Sequence, residues 1–218
     1  MGYSIMQVNL AEKLLRANRD VAAENRERLS KHGIVALNLI SSPGAGKTTL
    51  LERTVAALKD KVPLAVIEGD QYTALDGERI ERLGVPVVQI NTPGGCHLDA
   101  GMIASALDSL DLENLRLLII ENVGNLICPA EFDLGEGFKV GVLSVTEGND
   151  KPKKYPVIFQ DAQAAIINKV DLLPYVNFSL ERAVQDLQEI NPGLKVIPAS
   201  ATRQDGLDEW FNWLLERL

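Results

Sequence analysis

At 218 residues, 46% of them apolar and 24% charged, the chain can bury a substantial core beneath a solvated surface. Its 30 acidic residues outnumber 22 basic ones, and the net charge of -8 argues against nucleic-acid binding, which runs on clustered Lys and Arg. The longest uncharged apolar-rich run, Ile34 to Gly46, falls short of the roughly 20 residues that a bilayer span needs, and no signal-peptide layout precedes it, so the chain reads as cytoplasmic with no membrane role.

The first predicted element is an amphipathic helix from Asn9 to Lys31. Leu10, Leu14, Ala17 and Val21 recur at helical spacing among charges, Asn9 offers an N-cap and Gly33 a stop. We expect residues 1–33 to form a helix covering a sheet edge, and residues 34–218 to form one domain. From Ile34 onward, short apolar runs alternate with helical patterns: "IVALNLI", "VPLAVIEG", "VPVVQIN", "LRLLIIEN", "VGVLSV", "AAIINK" and "LKVIPAS". Such alternation predicts parallel strands with crossover helices, and runs that are apolar on successive residues predict sheet faces covered on both sides. The expected fold is therefore α/β, a doubly wound, mostly parallel sheet with ligands at the carboxyl ends of its strands.

The first strand runs into "SSPGAGKTTL", which matches the phosphate-loop pattern G-x-x-x-x-G-K-S/T except that Ser41 stands at the first glycine. Gly44, Ala45 and Gly46 let backbone N–H groups approach phosphate oxygens, Lys47 neutralises the β and γ phosphates, and the helix carrying Thr48 and Thr49 points its positive end at them. The Thr48 hydroxyl suits Mg²⁺. Serine at 41 is tolerable if its backbone stays at negative φ. The second strand ends in "EGD", where Asp70 can face Mg²⁺ or orient the attacking water.

The third strand ends in "NTPGGCHLDAG", which places Cys96 beside His97 in a chain holding two cysteines and two histidines in all. In a reducing compartment these read as thiols or metal ligands rather than half of a disulfide. Gly94 and Gly95 free the loop to turn adjacent side chains toward one ion. The fourth strand ends in "ENVG", which resembles a D-x-x-G switch with Glu121 in place of Asp. Its carboxylate would reach Mg²⁺ through water, and the Gly124 N–H would reach the γ-phosphate. Cys128 follows Glu121 by seven residues, so movement of the switch would move a thiolate. Thiolates with a neutral imidazole suit Ni²⁺ or Zn²⁺, but three ligands leave either ion short, and a two-fold dimer would pool six. After the fifth strand, Lys151, Lys153 and Lys154 read as a solvated loop, with a charge across a dimer interface as the alternative.

The sixth strand closes with "NKVD", Asn168, Lys169 and Asp171. The Asp171 carboxylate can accept the N1–H and N2–H of guanine, whereas adenine presents an unprotonated N1. The last strand ends in "SAT", Ser200 to Thr202, where a backbone N–H near Ala201 is suited to guanine O6. The nucleotide read from these residues is GTP. A phosphate-loop kinase is disfavoured, because it needs no guanine reader.

Taken in order, the phosphate loop, "EGD", "NTPGGCHLDA", "IIENVGNLICPAEFDLG" and "INKVDL" resemble the HypB family, the hydrogenase nickel-incorporation GTPases of the SIMIBI class of P-loop proteins, over nearly the whole chain. The resemblance implies a GTP-hydrolysing metallochaperone with GTP, Mg²⁺ and Ni²⁺ or Zn²⁺. It further implies a homodimer when GTP-bound, working with a nickel-donating or maturation accessory protein and the hydrogenase large subunit. The family's metal positions fall on Cys96, His97 and Cys128. Many relatives carry an N-terminal Cys-rich motif or a His-rich tract, which this sequence lacks, so high-affinity nickel storage through those elements is not expected. The alternatives are a urease-type nickel-chaperone GTPase, and a GTP switch acting by protein binding alone with structural cysteines.

Overall fold

All seven apolar runs become strands of one sheet in the computed structural model, which describes residues 10–71 and 75–218. The strands are β1 (Val35–Ser41), β2 (Leu64–Asp70), β3 (Val87–Asn91), β4 (Leu117–Glu121), β5 (Phe138–Ser144), β6 (Ala162–Asn168) and β7 (Lys195–Pro198). Their order is β3-β2-β4-β1-β5-β6-β7, and every pairing is parallel. The expected fold class is borne out. Helix α1 (Leu10–Lys31) precedes β1, the strands are joined through α2 (Lys47–Leu58), α3 (Leu75–Glu81), α4 (Ala100–Leu107), α5 (Cys128–Glu131), α6 (Lys151–Lys154), α7 (Pro156–Asp161) and α8 (Leu180–Ile190), and α9 (Leu207–Leu215) follows β7.

Alternate strand residues point to opposite faces, so each apolar run feeds two cores. Leu37 and Leu39 of β1, with Leu117 and Ile119 of β4, lie beneath α2, α3 and α9. Ala36, Leu118 and Ile120 point the other way, toward α1 and α4, while Ile40, Leu143 and Ile167 meet α7 and α8. Each fully buried Leu or Ile contributes about 1.5–3 kcal/mol relative to exposure, so the strands are stable only with both faces covered. Trp210 of α9 seals one side, where its indole Nε1 donates to Thr54 Oγ1 of α2 at 2.8 Å.

The proposed cap of α1, Asn9, lies outside the described residues. Two other expectations for this helix change. The face that packs is Ala22, Asn25 and Leu29, with Asn18 half-buried, whereas Leu14 is 66% exposed and Ala17 is exposed. Two asparagines explain the rotation. Asn25 Nδ2 donates to Ala100 O and Leu134 O at 2.8 and 3.0 Å, and Asn18 bonds Ala100 N and Asp133 O. A polar residue buried to satisfy backbone groups is invisible to an apolar-periodicity reading. The helix also lies against α4 and the central strand β1, over a sheet face rather than along an edge. It stops where expected, at Gly33, whose φ of 65° suits a residue without Cβ.

The position of β1 fixes the location of the site. The chain moves from β1 outward through β2 and β3, returns to β4 beside β1, then crosses to β5 on the opposite flank. The carboxyl end of β1 is thus a topological switch point, where loops diverge and leave a crevice. No helix among the described residues is long and apolar enough to cross a membrane.

Candidate nucleotide and metal site

The loop leaving β1 has the backbone that phosphate binding requires. Gly44 and Gly46 sit at φ of 76° and 94°, and a Cβ on Gly46 would run into the Asn168 amide. Ser41 is not among the residues at positive φ, so serine at the usual glycine position carries no strain. With Gly46 as its cap, α2 directs the unpaired N–H groups of its first turn into the crevice. That crevice is about 460 Å³ and is lined in part by Gly44, Lys47, Thr48, Thr49, Asp70, Glu121, Gly124 and Lys169.

Glu121 is the electrostatic centre of this crevice. Thr48 Oγ1 donates to Glu121 Oε1 at 2.8 Å, and Lys47 Nζ lies 3.5 Å from the same oxygen. Oε2 is buried without a hydrogen-bond partner among the described residues. Burial raises the Glu121 pKa, against the charge of Lys47 and the Thr48 hydrogen bond. Glu68 stands beside it across the β2–β4 register, and burial together with the Glu121 charge pushes its pKa up to about 8. A buried carboxylate with an orphan oxygen calls for a proton or a cation, so Thr48, Glu121 and Asp70 fit Mg²⁺. The Asp70 side chain also closes its own turn, accepting from Gln71 N at 2.7 Å. Sequence reasoning passed over Glu68, although the i, i+2 spacing of "EGD" places it on the same strand face as Asp70. It also missed Asp76 and Arg79 of α3, which line the crevice and form a salt bridge with each other.

The "NKVD" residues grip the phosphate loop from the β6 side. Asn168 Nδ2 donates to Ala45 O at 2.9 Å, and its Oδ1 accepts from Ala201 N at 3.0 Å. Of the backbone N–H groups near Ala201 expected to face a guanine O6, that of Ala201 itself is committed to Asn168. Lys169 adopts φ of 63° and donates from Nζ to Gly44 O at 2.6 Å. Asp171 Oδ2 lies 3.8 Å from Arg203 Nε, and Ser200 Oγ accepts from Arg203 N at 3.1 Å. The lysines after β5 are not a plain solvated loop. They form α6, in which Lys153 pairs with the buried Asp186 and with Glu189, while Lys151 and Lys154 lie over the Tyr155 ring.

The loops after β3 and β4 bring Cys96, His97 and Cys128 together. Their ligand atoms lie within 4.8 Å of one another, and no other such group of His, Cys, Asp or Glu occurs among the described residues. The two sulfurs are 2.8 Å apart, and Cys96 Sγ is 3.6 Å from His97 Nδ1. Gly94, at φ of 74°, makes the turn that exposes the pair. Phe132 lies against the His97 ring, with centroids 3.9 Å apart, and partial burial lowers the His97 pKa, which favours the neutral imidazole. The hydrogen bond to Cys96, with burial, raises the Cys128 pKa, so a metal would displace a proton there. This is a soft, incomplete ligand set suited to Ni²⁺ or Zn²⁺.

The model of the CobW/HypB/UreG nucleotide-binding domain family matches residues 35–198. Hydrogenase maturation factor HypB of Escherichia coli K12 is 55% identical over 201 residues, which covers 92% of this chain and 69% of that protein. The chain belongs to the HypB family. Solved HypB structures share its architecture. HypB from Helicobacter pylori in complex with nickel is 42% identical with a TM-score of 0.87, covering 92% of this chain and 94% of that one. HypB from Archaeoglobus fulgidus is 41% identical with a TM-score of 0.86, covering 92% and 98%. In this HypB-family chain the nucleotide-binding domain thus spans β1 to β7, and the Cys/His cluster sits between two of its strand ends.

Proposed function

We propose that this chain is a GTP-hydrolysing nickel metallochaperone of hydrogenase maturation, in which nucleotide state governs a Ni²⁺ or Zn²⁺ ion held by Cys96, His97 and Cys128. The observation that carries this reading is the placement of Cys128 downstream of Glu121 on the loop leaving β4, with its sulfur beside that of Cys96. In support, the Escherichia coli relative is named a hydrogenase maturation factor and the Helicobacter pylori HypB structure holds nickel. A further relative, 42% identical, is named hydrogenase/urease maturation factor HypB, which keeps the urease-type reading as the alternative.

In this mechanism Asp171 accepts the guanine N1–H and N2–H, Lys47 and the Gly44–Gly46 backbone hold the phosphates, and the Gly124 N–H meets the γ-phosphate. Thr48, Glu121 and Asp70 would hold Mg²⁺, which supplies positive charge to the β and γ oxygens. Asp70 orients the attacking water. Turnover is slow in the isolated chain, as in switch GTPases whose site is finished by a partner. A GTP-bound homodimer would bring two Cys/His sets together and complete a site that one copy leaves short of four ligands. A nickel-donating accessory protein loads the cluster, and the hydrogenase large subunit receives the metal.

Competition with a chromophoric chelator tests the cluster. Cys96→Ala and Cys128→Ala are expected to lower nickel and zinc affinity at least about tenfold while GTP binding persists. A non-hydrolysable GTP analogue is expected to change the metal-to-protein ratio or the dimer fraction of the wild type, but not of these variants. Equal metal affinity in all three proteins would leave a GTP switch with structural cysteines.

A further inference from the structure

We infer that the side-chain amide of Asn122 is the joint through which the γ-phosphate sensor moves the metal loop, which makes Asn122 a positioning residue for metal capture and release. The inference rests on the coupled GTP and metal reading above and names the atoms that carry the coupling. Asn122 is fully buried between Glu121 and the Val123–Gly124 segment. Its Oδ1 accepts from Leu98 N at 3.1 Å and from Val123 N at 3.0 Å. Leu98 directly follows His97, and Val123 directly precedes Gly124, so one oxygen holds both the metal loop and the switch.

Surrounding groups fix the orientation of that amide. Glu136 Oε1 accepts from Asn38 Nδ2 at 3.2 Å, and the Asn38 Oδ1 that remains accepts from Asn122 Nδ2 at 3.3 Å. Flipping Asn122 would set two acceptors against each other and two donors against Leu98 N–H and Val123 N–H. Each such buried mismatch is costly.

Steric contacts at both ends leave little slack. A Cβ on Gly124 would stand 3.2–3.3 Å from Pro43 of the phosphate loop, and one on Gly69 of β2 would stand 2.8 Å from the Leu98 side chain. A γ-phosphate that draws Gly124 inward thus displaces Val123 and Asn122. Leu98 N–H must then follow the Asn122 oxygen or lose its partner in a buried site, and His97 moves with Leu98. This is a contiguous chain of hydrogen bonds and close contacts, a physical route rather than proximity alone.

The test compares metal affinity with GDP and with a non-hydrolysable GTP analogue, using zinc and a chromophoric chelator. The wild type is expected to show at least about a fivefold ratio between the two states. Asn122→Ala is expected to bind each ligand alone and to bring the ratio to about one, a change that general loosening of the fold would not single out. Hydrogen exchange of the wild type gives a reading independent of any variant. Protection of the Leu98 and Val123 amides is expected to change together when the GTP analogue replaces GDP. A wild-type ratio retained in Asn122→Ala, or Leu98 protection indifferent to nucleotide in a wild type whose metal affinity responds to it, would overturn this inference alone. A wild-type ratio of one would overturn the coupled reading and this inference with it.

Discussion

Glu68 and Asp171 are both acids at strand ends, and their surroundings give them opposite roles. Glu68 has a folded-state pKa of about 8, well above its ordinary value, so between roughly pH 4.5 and 8 the native state binds a proton that the unfolded chain does not. The sign follows directly: the stability of the nucleotide-free protein falls as pH rises through that window. Glu68→Gln removes the titration, so the variant is expected to be more stable than wild type by about 1–3 kcal/mol above pH 8, with little difference at pH 5. Denaturant unfolding at the two pH values measures it, and equal stability at high pH would remove the charge penalty. Asp171, by contrast, lies just past the end of β6 in a partly buried place beside the exposed Arg203. Asp171→Asn is expected to lose GTP affinity by a few kcal/mol, at about 1–3 per unpaired group, and to gain xanthosine triphosphate, whose C2 carbonyl needs a donor. Competition between the two nucleotides reads this, and an unchanged preference would sink the guanine assignment. Residues inside contiguous motifs, such as Lys47 and Cys96, could be picked out by spacing alone, and the structure places Lys47 in the crevice and Cys96 in the Cys/His cluster. Glu68 and Asn122 could not be, since what sets them apart is a neighbour far off in sequence, Glu121 on the adjoining strand in one case and Leu98 of the loop before α4 in the other.

At the scale of elements, apolar runs predicted every strand, because a central parallel strand buried on both faces must be apolar almost throughout and the edge strands β3 and β7 keep enough apolar residues to follow the pattern. Helix α1 was legible as a helix but not in its orientation. Its packed face depends on Asn18 and Asn25, and its apolar residues Leu14, Ala17 and Val21 instead line a groove with His97 and Phe132. Asn25→Ala strips a hydrogen bond from both Ala100 O and Leu134 O in a buried place. It is expected to cost about 1–3 kcal/mol in chemical denaturation. Leu14→Ser, on the exposed face, is expected to stay within about 0.5 kcal/mol. The reverse ranking would restore the face that periodicity suggested.

At the scale of the whole molecule, parallel pairing was legible and strand order was not, since no local pattern records which strands become neighbours. That order constrains how the chain can be made. β1 pairs only with β4 and β5, so the strand that presents the phosphate loop emerges early from the ribosome yet finds no neighbour until residues 117–121 and then 138–144 have followed. The loop gains its final grip later still, when Asn168 arrives to hold Ala45 and the yet later Ala201 N–H fixes the Asn168 amide. GTP therefore cannot steady a nascent chain by binding its early half. Protection from misfolding before that point must come from the bare polypeptide or a chaperone, and the nucleotide can act only as a late check on a sheet already closed.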